Sequence, residues 1–376
     1  MEKYKRVFAF LKGFIQRNTV MTIAFSAAVV TAFFVPPDKE YLGYLDFKTL
    51  TCLFCVLGVV GALRNIRFFS MLARRIVRGF KTARLCTLAL VWITFLGSML
   101  IANDMALLTF LPLGYFVLSA AHKEKRMAYT FVLQNIAANL GGMLTPFGNP
   151  QNLYLYSKFD IPTGEFMRIM APPFALAVTM ITLCCLLVPN EPMTVPDEPI
   201  KLDPARTAVY LAAFAFSILI VFRGIPWWTG LIVIPAVLLV FDRRALMGID
   251  YPLLLTFVFF FVFAGNMSRI PAVSRFFSGL LERNTLVFSV LSCQVISNVP
   301  SAILLSQFTL DYPALLVGVN IGGTGTLIAS LASLITFREY CFHNPERKGR
   351  YLALFSLINF GFLIILTLFM LFVVRI

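Results

Sequence analysis

Asn139-Leu-Gly-Gly-Met-Leu-Thr-Pro-Phe-Gly-Asn-Pro-Gln-Asn152 is rich in helix breakers and side-chain amides, yet it stands between strongly apolar segments. Glycine and proline release backbone groups from the helical ladder. Hydrocarbon offers those groups no partner, so a break in a membrane helix persists only where it is packed in protein or lines a polar cavity. The stretch therefore predicts a helix broken in mid-bilayer beside a buried site. It also has an echo, because Asn139-Leu-Gly-Gly-Met-Leu-Thr145 returns as Asn320-Ile-Gly-Gly-Thr-Gly-Thr326. Each copy is preceded by a second polar interruption: Ala102-Asn103-Asp104 before the first, Ser297-Asn298-Val299-Pro300 before the second.

The surroundings of these stretches set the class. The chain is 59% hydrophobic and 13% charged over 376 residues, with a mean hydropathy of +0.84, whereas soluble domains carry about 25% charged residues. This is the composition of an all-α polytopic membrane protein. The formal charge of +14 does not point to nucleic acid. Lys and Arg sit in short connections rather than on one amphipathic face, which is the pattern that membrane topology imposes. Cys52, Cys55, Cys184 and Cys185 lie on apolar segments without His or carboxylate neighbours, so they read as buried thiols. Residues 1–18 are basic and too polar for the apolar region of a signal peptide. His122 and His343 read as solvated groups in basic connections, and Trp227-Trp228 as an interfacial anchor. Ser119, near His122, lacks the oriented acid and oxyanion donors of a nucleophilic enzyme.

In chain order, an apolar segment over 19–35 ends at Pro36-Pro37, and a second over 50–63 leads into Arg64. Residues 68–84 scatter Arg74, Arg75, Arg78, Lys81 and Arg84 among Phe, Leu, Ile and Val. That is an amphipathic helix in the interface, and its charge places this side in the cytoplasm. Residues 85–121 hold one charge, Asp104, between basic ends, which predicts a re-entrant hairpin with Asn103-Asp104 at its tip. The first broken helix covers 127–156, and a span over 169–188 returns inward. Residues 189–206, proline-rich and of mixed charge, form a linker. Spans over 207–221, 227–241 and 252–267 follow, then an interfacial helix over 268–284 and a hairpin over 285–310. A second broken helix over 313–337, ending at Arg338, and a last span over 351–374 close the chain. The expected fold is thus nine crossings and two hairpins, in an N-terminal repeat 1–188, the linker 189–206 and a C-terminal repeat 207–376. The repeats are inverted, the amino terminus is cytoplasmic, and most Lys and Arg fall on the cytoplasmic side. Inverted repeats whose discontinuous helices meet near the midplane are the architecture of secondary transporters.

The motifs resemble the ion transporter superfamily, and within it the citrate-transporter-like permeases, relatives of divalent-anion/sodium symporters, arsenite-efflux permeases and sodium/proton antiporters. Four stretches carry the resemblance, which covers most of the chain. They are Ala102-Asn-Asp-Met-Ala-Leu-Leu-Thr-Phe-Leu-Pro112, Gly141-Gly-Met-Leu-Thr-Pro-Phe-Gly-Asn-Pro-Gln-Asn152, Ser297-Asn-Val-Pro-Ser301 and Gly318-Val-Asn-Ile-Gly-Gly-Thr-Gly-Thr-Leu-Ile-Ala-Ser330. The resemblance implies that hairpin tips and helix breaks together enclose one solute and its coupling ions, and that the working unit is a homodimer. Symporters for dicarboxylates carry Ser-Asn-Thr at both tips. Here the tips are Ala-Asn-Asp and Ser-Asn-Val, a departure that bears on dicarboxylate specificity.

The side chains support site roles in their own right. An Asn offers an amide oxygen to a cation and two N–H donors to an anion. Half-helices that begin after the breaks aim their positive ends at the cavity, which favours an anion, while freed carbonyls can hold sodium. Solute binding is expected at Asn103, Asn149, Pro150, Asn152, Ser297, Asn298, Thr324 and Thr326. Ion coupling is expected at Asp104, Asn103, Thr145, Gly148, Asn298, Gly323 and Ser330. Asp104 is the one acidic residue that this reading places deep in an apolar stretch. Inserting such a charge costs about 2.5–3.5 kcal/mol on insertion scales. No Lys or Arg within 85–121 can pair with it, so H+ or Na+ is the natural counter-charge. The function expected is secondary active transport of a small anionic solute, di- or tricarboxylate-like, coupled to H+ or Na+. Alternatives are a sodium/proton antiporter, an arsenite or oxyanion efflux permease and, from another class, a passive anion channel. No enzyme activity, no cofactor beyond the coupling ion, no metal beyond Na+ and no nucleic-acid partner is expected. The protein is expected in a prokaryotic inner membrane, its partners being the solute, the lipid bilayer and a second copy.

Overall fold

The computed structural model describes Gly13 and residues 18–77, 79–193 and 201–375. The rest of the basic start, Arg78 and the middle of the expected linker lie outside the described residues. Among those described, regular structure is helical apart from one isolated bridge between Thr82 and Pro192. Seven helices are long and apolar enough to cross a membrane, and shorter apolar helices accompany them.

The first half runs α1 (Thr19–Ala32), α2 (Tyr41–Tyr44), α3 (Phe47–Asn65) and a surface helix α4 (Phe68–Val77). A hairpin follows, α5 (Ala83–Ile101) and α6 (Asn103–Ala120), then a broken helix, α7 (Met127–Gly141) and α8 (Pro150–Lys158), then α9 (Thr163–Leu186). The second half runs α10 (Pro204–Val221), α11 (Gly230–Phe241), α12 (Arg243–Met247), α13 (Tyr251–Ser268) and α14 (Pro271–Leu281). Its hairpin is α15 (Thr285–Ile296) and α16 (Asn298–Leu305), its broken helix α17 (Tyr312–Ile321) and α18 (Leu331–His343), and α19 (Lys348–Phe369) ends it. Many starts carry a side-chain cap, as where Asp46 accepts from Thr49 N–H and Asn284 from Val287 N–H. Helices α3, α7 and α17 are largely buried, whereas α10, α11 and α19 turn leucine, valine and phenylalanine outward, as lipid requires.

Each hairpin turns on one residue. Ala102 (φ 65°, ψ 149°) and Ser297 (φ 77°, ψ 159°) adopt nearly the same backbone conformation, one that L-residues rarely enter. Such a residue costs about 1–3 kcal/mol and persists only where its surroundings hold it. In the second hairpin α15 and α16 have 12 and 8 residues, about 18 and 12 Å of helix, short of the ~30 Å of hydrocarbon. It must turn back inside. The first hairpin is longer, its helices having 19 and 18 residues, and its tip is retained in the interior by docking on the first break.

Both ends of the first hairpin are tied to the start of the linker. Ala83 N–H donates to the Glu191 carbonyl (2.8 Å) and Met193 N–H to the Lys81 carbonyl (2.9 Å). Arg84 Nε reaches the Val188 carbonyl at 2.7 Å. The Glu191 carboxylate receives Lys123 Nζ at 2.6 Å and Arg126 at 2.8 Å, beyond the other end of the hairpin. The hydrogen bonds from Lys123 and Arg126 hold the Glu191 carboxyl below the usual glutamate range.

The structure corrects three expectations. The span expected over 252–267 starts earlier. Asp242 accepts from Asn65 Nδ2 at 3.0 Å, and from there the chain climbs back along α3, with Ile249 packed on Gly58. By length and composition Arg243–Ser268 counts as one apolar span, with Asp250 at the turn within it, where it caps α13. The second broken helix continues past Arg338 to His343. His343 is not merely solvated, since its ring stacks on Tyr115 with centroids 3.6 Å apart and its Nε2 meets Glu339 at 3.3 Å.

Two outcomes follow. Single cysteines at Lys81 and His122 label from one face of the membrane, and those at Arg283 and Asp311 from the other; opposite-face labelling of Lys81 and His122 would remove the first hairpin. Because the folded Glu191 carboxyl titrates below its unfolded value, its contribution is complete above the ordinary carboxylate range and is lost as pH falls through the lowered value. Hydrogen exchange at the Ala83 and Met193 amides, corrected for intrinsic rate, should therefore rise only in acid. In Glu191→Gln it should be raised already at neutral pH.

Candidate functional site

The two halves make the same joints at their breaks. Asn103 N–H donates to the Gly148 carbonyl (3.1 Å), and Asn298 N–H donates to the Ala329 carbonyl (2.9 Å). Thr145 Oγ1 donates to the Met99 carbonyl at 2.8 Å, and Thr326 Oγ1 to the Gln294 carbonyl at 3.2 Å. Each break is thus bonded to the hairpin of its own half, and this holds Ala102 and Ser297 in their strained conformation.

Side-chain amides take up the carbonyls that the breaks release. Asn152 Nδ2 faces the Gly142, Met143 and Thr145 carbonyls at 3.1, 3.3 and 3.3 Å. In the second half Gln294, from the hairpin, does this work: its Nε2 donates to the Gly322 and Thr324 carbonyls (2.9 and 3.0 Å) and its Oε1 accepts from Thr326 N–H (2.9 Å). Glycine is required where backbone meets backbone. A Cβ on Gly148 would collide with the Gly142 carbonyl, and one on Gly142 with the Asn149 side chain.

Between the breaks lies a buried cluster of asparagines drawn from both halves. Asn149 Nδ2 donates to the Asn139 carbonyl and to Asn320 Oδ1, both at 3.1 Å. Gln151 Nε2 also reaches Asn320 Oδ1 (3.4 Å), and Asn320 Nδ2 donates to Asn152 Oδ1 (2.5 Å). Asn103 Nδ2 donates to Asn139 Oδ1 at 3.2 Å. Behind them Asn135 Oδ1 receives Thr336, and Asn135 Nδ2 meets Asn359 Oδ1 at 3.3 Å. Asn149 Oδ1 and Gln151 Oε1 are buried acceptors without a partner among the described residues. Gly323 opens the centre of this cluster: a Cβ there would stand 3.0 Å from Asn298 Nδ2 and 3.7 Å from Asn139 Oδ1.

The expected site residues fall into three groups. Asn103, Asn149, Asn152, Asn298 and Gly323 meet in the cluster, and Gly148 closes the first break beside it. Asp104 and Pro150 line an adjoining cavity of about 60 Å³. The hydroxyls turn elsewhere. Ser297 Oγ donates to the Ala329 carbonyl (3.2 Å), Thr324 Oγ1 to Ile321 (2.6 Å), and Ser330 caps α18 through Ser333 N–H (3.2 Å). Asn139 and Asn320, the centre of the cluster, stand in the repeated motif and were not singled out. The signal was there, since each is the amide that opens its copy of the echo. Gln294 and Asp250 gave no such signal.

A buried amide cluster held between two hairpin tips and two helix breaks, inside apolar helices, defines a polytopic membrane protein of transporter architecture. The chain belongs to the citrate transporter (CitMHS) family, whose model matches residues 7–313. It is 30% identical over 335 residues to an uncharacterized transporter of Methanocaldococcus jannaschii, covering 87% of this chain and 90% of that one. It is 29% identical over 318 residues to the inner membrane protein YbiR of Escherichia coli, covering 82% and 84%. A partial match, 28% over 163 residues, links it to the silicon efflux transporter LSI3 of Oryza sativa, covering 43% of this chain and 33% of that protein. It is a membrane transporter.

Substitution at the two glycines separates packing from site. Gly148→Ala should lower stability by about 1–3 kcal/mol through overpacking against backbone, read as a fall in melting temperature. Gly323→Ala should cost less than Gly148→Ala, because its added Cβ would stand 3.0 Å from the Asn298 amide and 3.3 Å from the Asn320 carbonyl rather than colliding with backbone, while changing the properties of the cluster. The reverse order of stabilities would contradict the geometry.

Proposed function

We propose that this protein is a secondary active transporter that moves a small anionic solute, of the di- or tricarboxylate class, with coupling to H+ or Na+. One observation carries the reading: both hairpin tips and both breaks meet at one buried amide cluster, and helices α6, α8, α16 and α18 all begin there. Helix N-termini favour negative charge, and amide N–H groups suit carboxylate oxygens. Asp104, in the first turn of α6, supplies the fixed charge that a coupling cation would neutralise. The working unit in this reading is a homodimer in a prokaryotic inner membrane with its amino terminus in the cytoplasm.

A second reading, efflux of a hydroxylated metalloid or its oxyanion, has a specific observation in its favour. The Asp104 carboxylate faces the cavity and no Lys or Arg lines it, so a neutral hydroxylated solute would meet no repulsion there. The similarity to a silicon efflux transporter agrees with it.

Proteoliposome uptake across organic acids, oxyanions and hydroxylated metalloids, with pH and Na+ gradients imposed separately, tests both. The primary reading expects saturable, gradient-driven accumulation of an organic anion. Flux that never exceeds electrochemical equilibrium would make the protein a passive channel. Asp104→Asn should abolish accumulation while sparing solute exchange. Accumulation at the wild-type level, with unchanged pH and Na+ dependence, would remove Asp104 from coupling.

A further inference from the structure

We infer that Asp250 is the partner of Asp104 in a two-carboxylate site for a monovalent cation, H+ or Na+, on the cavity beside the amide cluster. The inference rests on the transporter reading for its purpose, but not for its chemistry. Asp104 enters the cavity from the first hairpin and Asp250 from the start of α13, and both line it. Asp104 Oδ1 is buried and has no hydrogen-bond partner among the described residues. Asp250 Oδ1 accepts from Leu253 N–H at 2.9 Å, capping α13.

The remainder of the wall is drawn from α3, the first tip and break, α6, α8, α13 and α18, and its residues are Ala, Leu, Ile, Val, Met, Phe and Pro. The two aspartates are therefore the titratable groups on it. Among the described residues no Lys or Arg lines the cavity, and Arg243 and Arg244, at the α11–α12 corner, are exposed. Two carboxylates in one largely apolar space repel unless a cation or proton lies with them. Their enclosure in about 60 Å³ leaves room for a small ion with a few waters and none for a tricarboxylate.

The placement also links ion to solute. Asp104 adjoins Asn103, whose Oδ1 accepts the Asp104 N–H at 2.9 Å and whose Nδ2 binds Asn139 in the amide cluster. Pro150, next to Asn149 of the cluster, is on the cavity wall. Asp250, by contrast, sits on the α12–α13 span, which belongs to neither hairpin nor broken helix. Movement of the first tip against that span would separate the two carboxylates and release the ion. The second half has Val299 at the position of Asp104, so the pair exists once per chain.

The test is infrared difference spectroscopy of the purified full chain in lipid, between neutral and acid pH, with NaCl or choline chloride. Measured against the double variant, which leaves the other sixteen carboxyls in place, the wild type should show an additional protonated-carboxyl component whose midpoint shifts in Asp104→Asn and in Asp250→Asn. Suppression of the band by NaCl assigns sodium competing at the pair, and indifference to NaCl assigns the proton alone; either outcome supports the site. Asn keeps the cap on Leu253, and Asp250→Ser, which also caps, serves should Asp250→Asn fail to fold. An Asp250→Asn or Asp250→Ser band identical to wild type in midpoint and amplitude, or a wild-type band identical to that of the double variant, would overturn the proposal. Because carboxyls rather than transport are read, this test can fail while uptake of a solute stands.

Discussion

A carbonyl released from a helix inside hydrocarbon must find its donor within the protein, and in this chain side-chain amides meet that demand. Asn152 holds the carbonyls of the first break and Gln294 those of the second. The breaks can then exist at mid-depth, and everything else follows from their existence. The hairpin tips dock on them through Asn103 and Asn298 N–H. Docking holds two non-glycine residues at positive φ, and four helices restart at the tips and breaks.

The halves solve the same problem with different residues, and the difference sets the chemistry. Where the first half puts its clamp within the broken helix, the second puts it in the hairpin. Where the first tip is Ala-Asn-Asp, the second is Ser-Asn-Val. Asn139 binds its own tip, while Asn320 turns across the interface to Asn149, Gln151 and Asn152. The cluster is therefore a joint between halves, able to change when they move against each other. The charge is on one side of it, at Asp104 and Asp250 on the adjoining cavity.

Much of this was legible because amides, glycine and proline are costly in an apolar context and so stand out from it. The echo at Asn139 and Asn320, the interruptions at Asn103 and Asn298 and the basic surface helices all declare themselves locally. What stayed hidden depends on distant partners. Gln294 looks like a stray polar residue until the carbonyls of the second break are brought against it. Asp250 stands between Gly248 and Pro252 just after two arginines, which is the signature of a loop. It reaches the cavity wall because α12 climbs back along α3. His343 looked solvated for the same reason, since its cover, Tyr115, comes from the other half of the chain. The hydroxyls are less legible: Thr324 and Ser330 sit at the breaks, and there they bond to backbone close by.

The central claim is that the asparagine cluster between the breaks is where solute binds. A single cysteine at Gly323, on a background with the seven native cysteines replaced, would place a thiol between Asn298 and Asn139. Its alkylation rate should then be measured with and without the solute identified by uptake. The account predicts that solute slows alkylation in a saturable way, with the same half-maximal concentration as transport. Alkylation unaffected by saturating solute, in a variant that still transports, would contradict it.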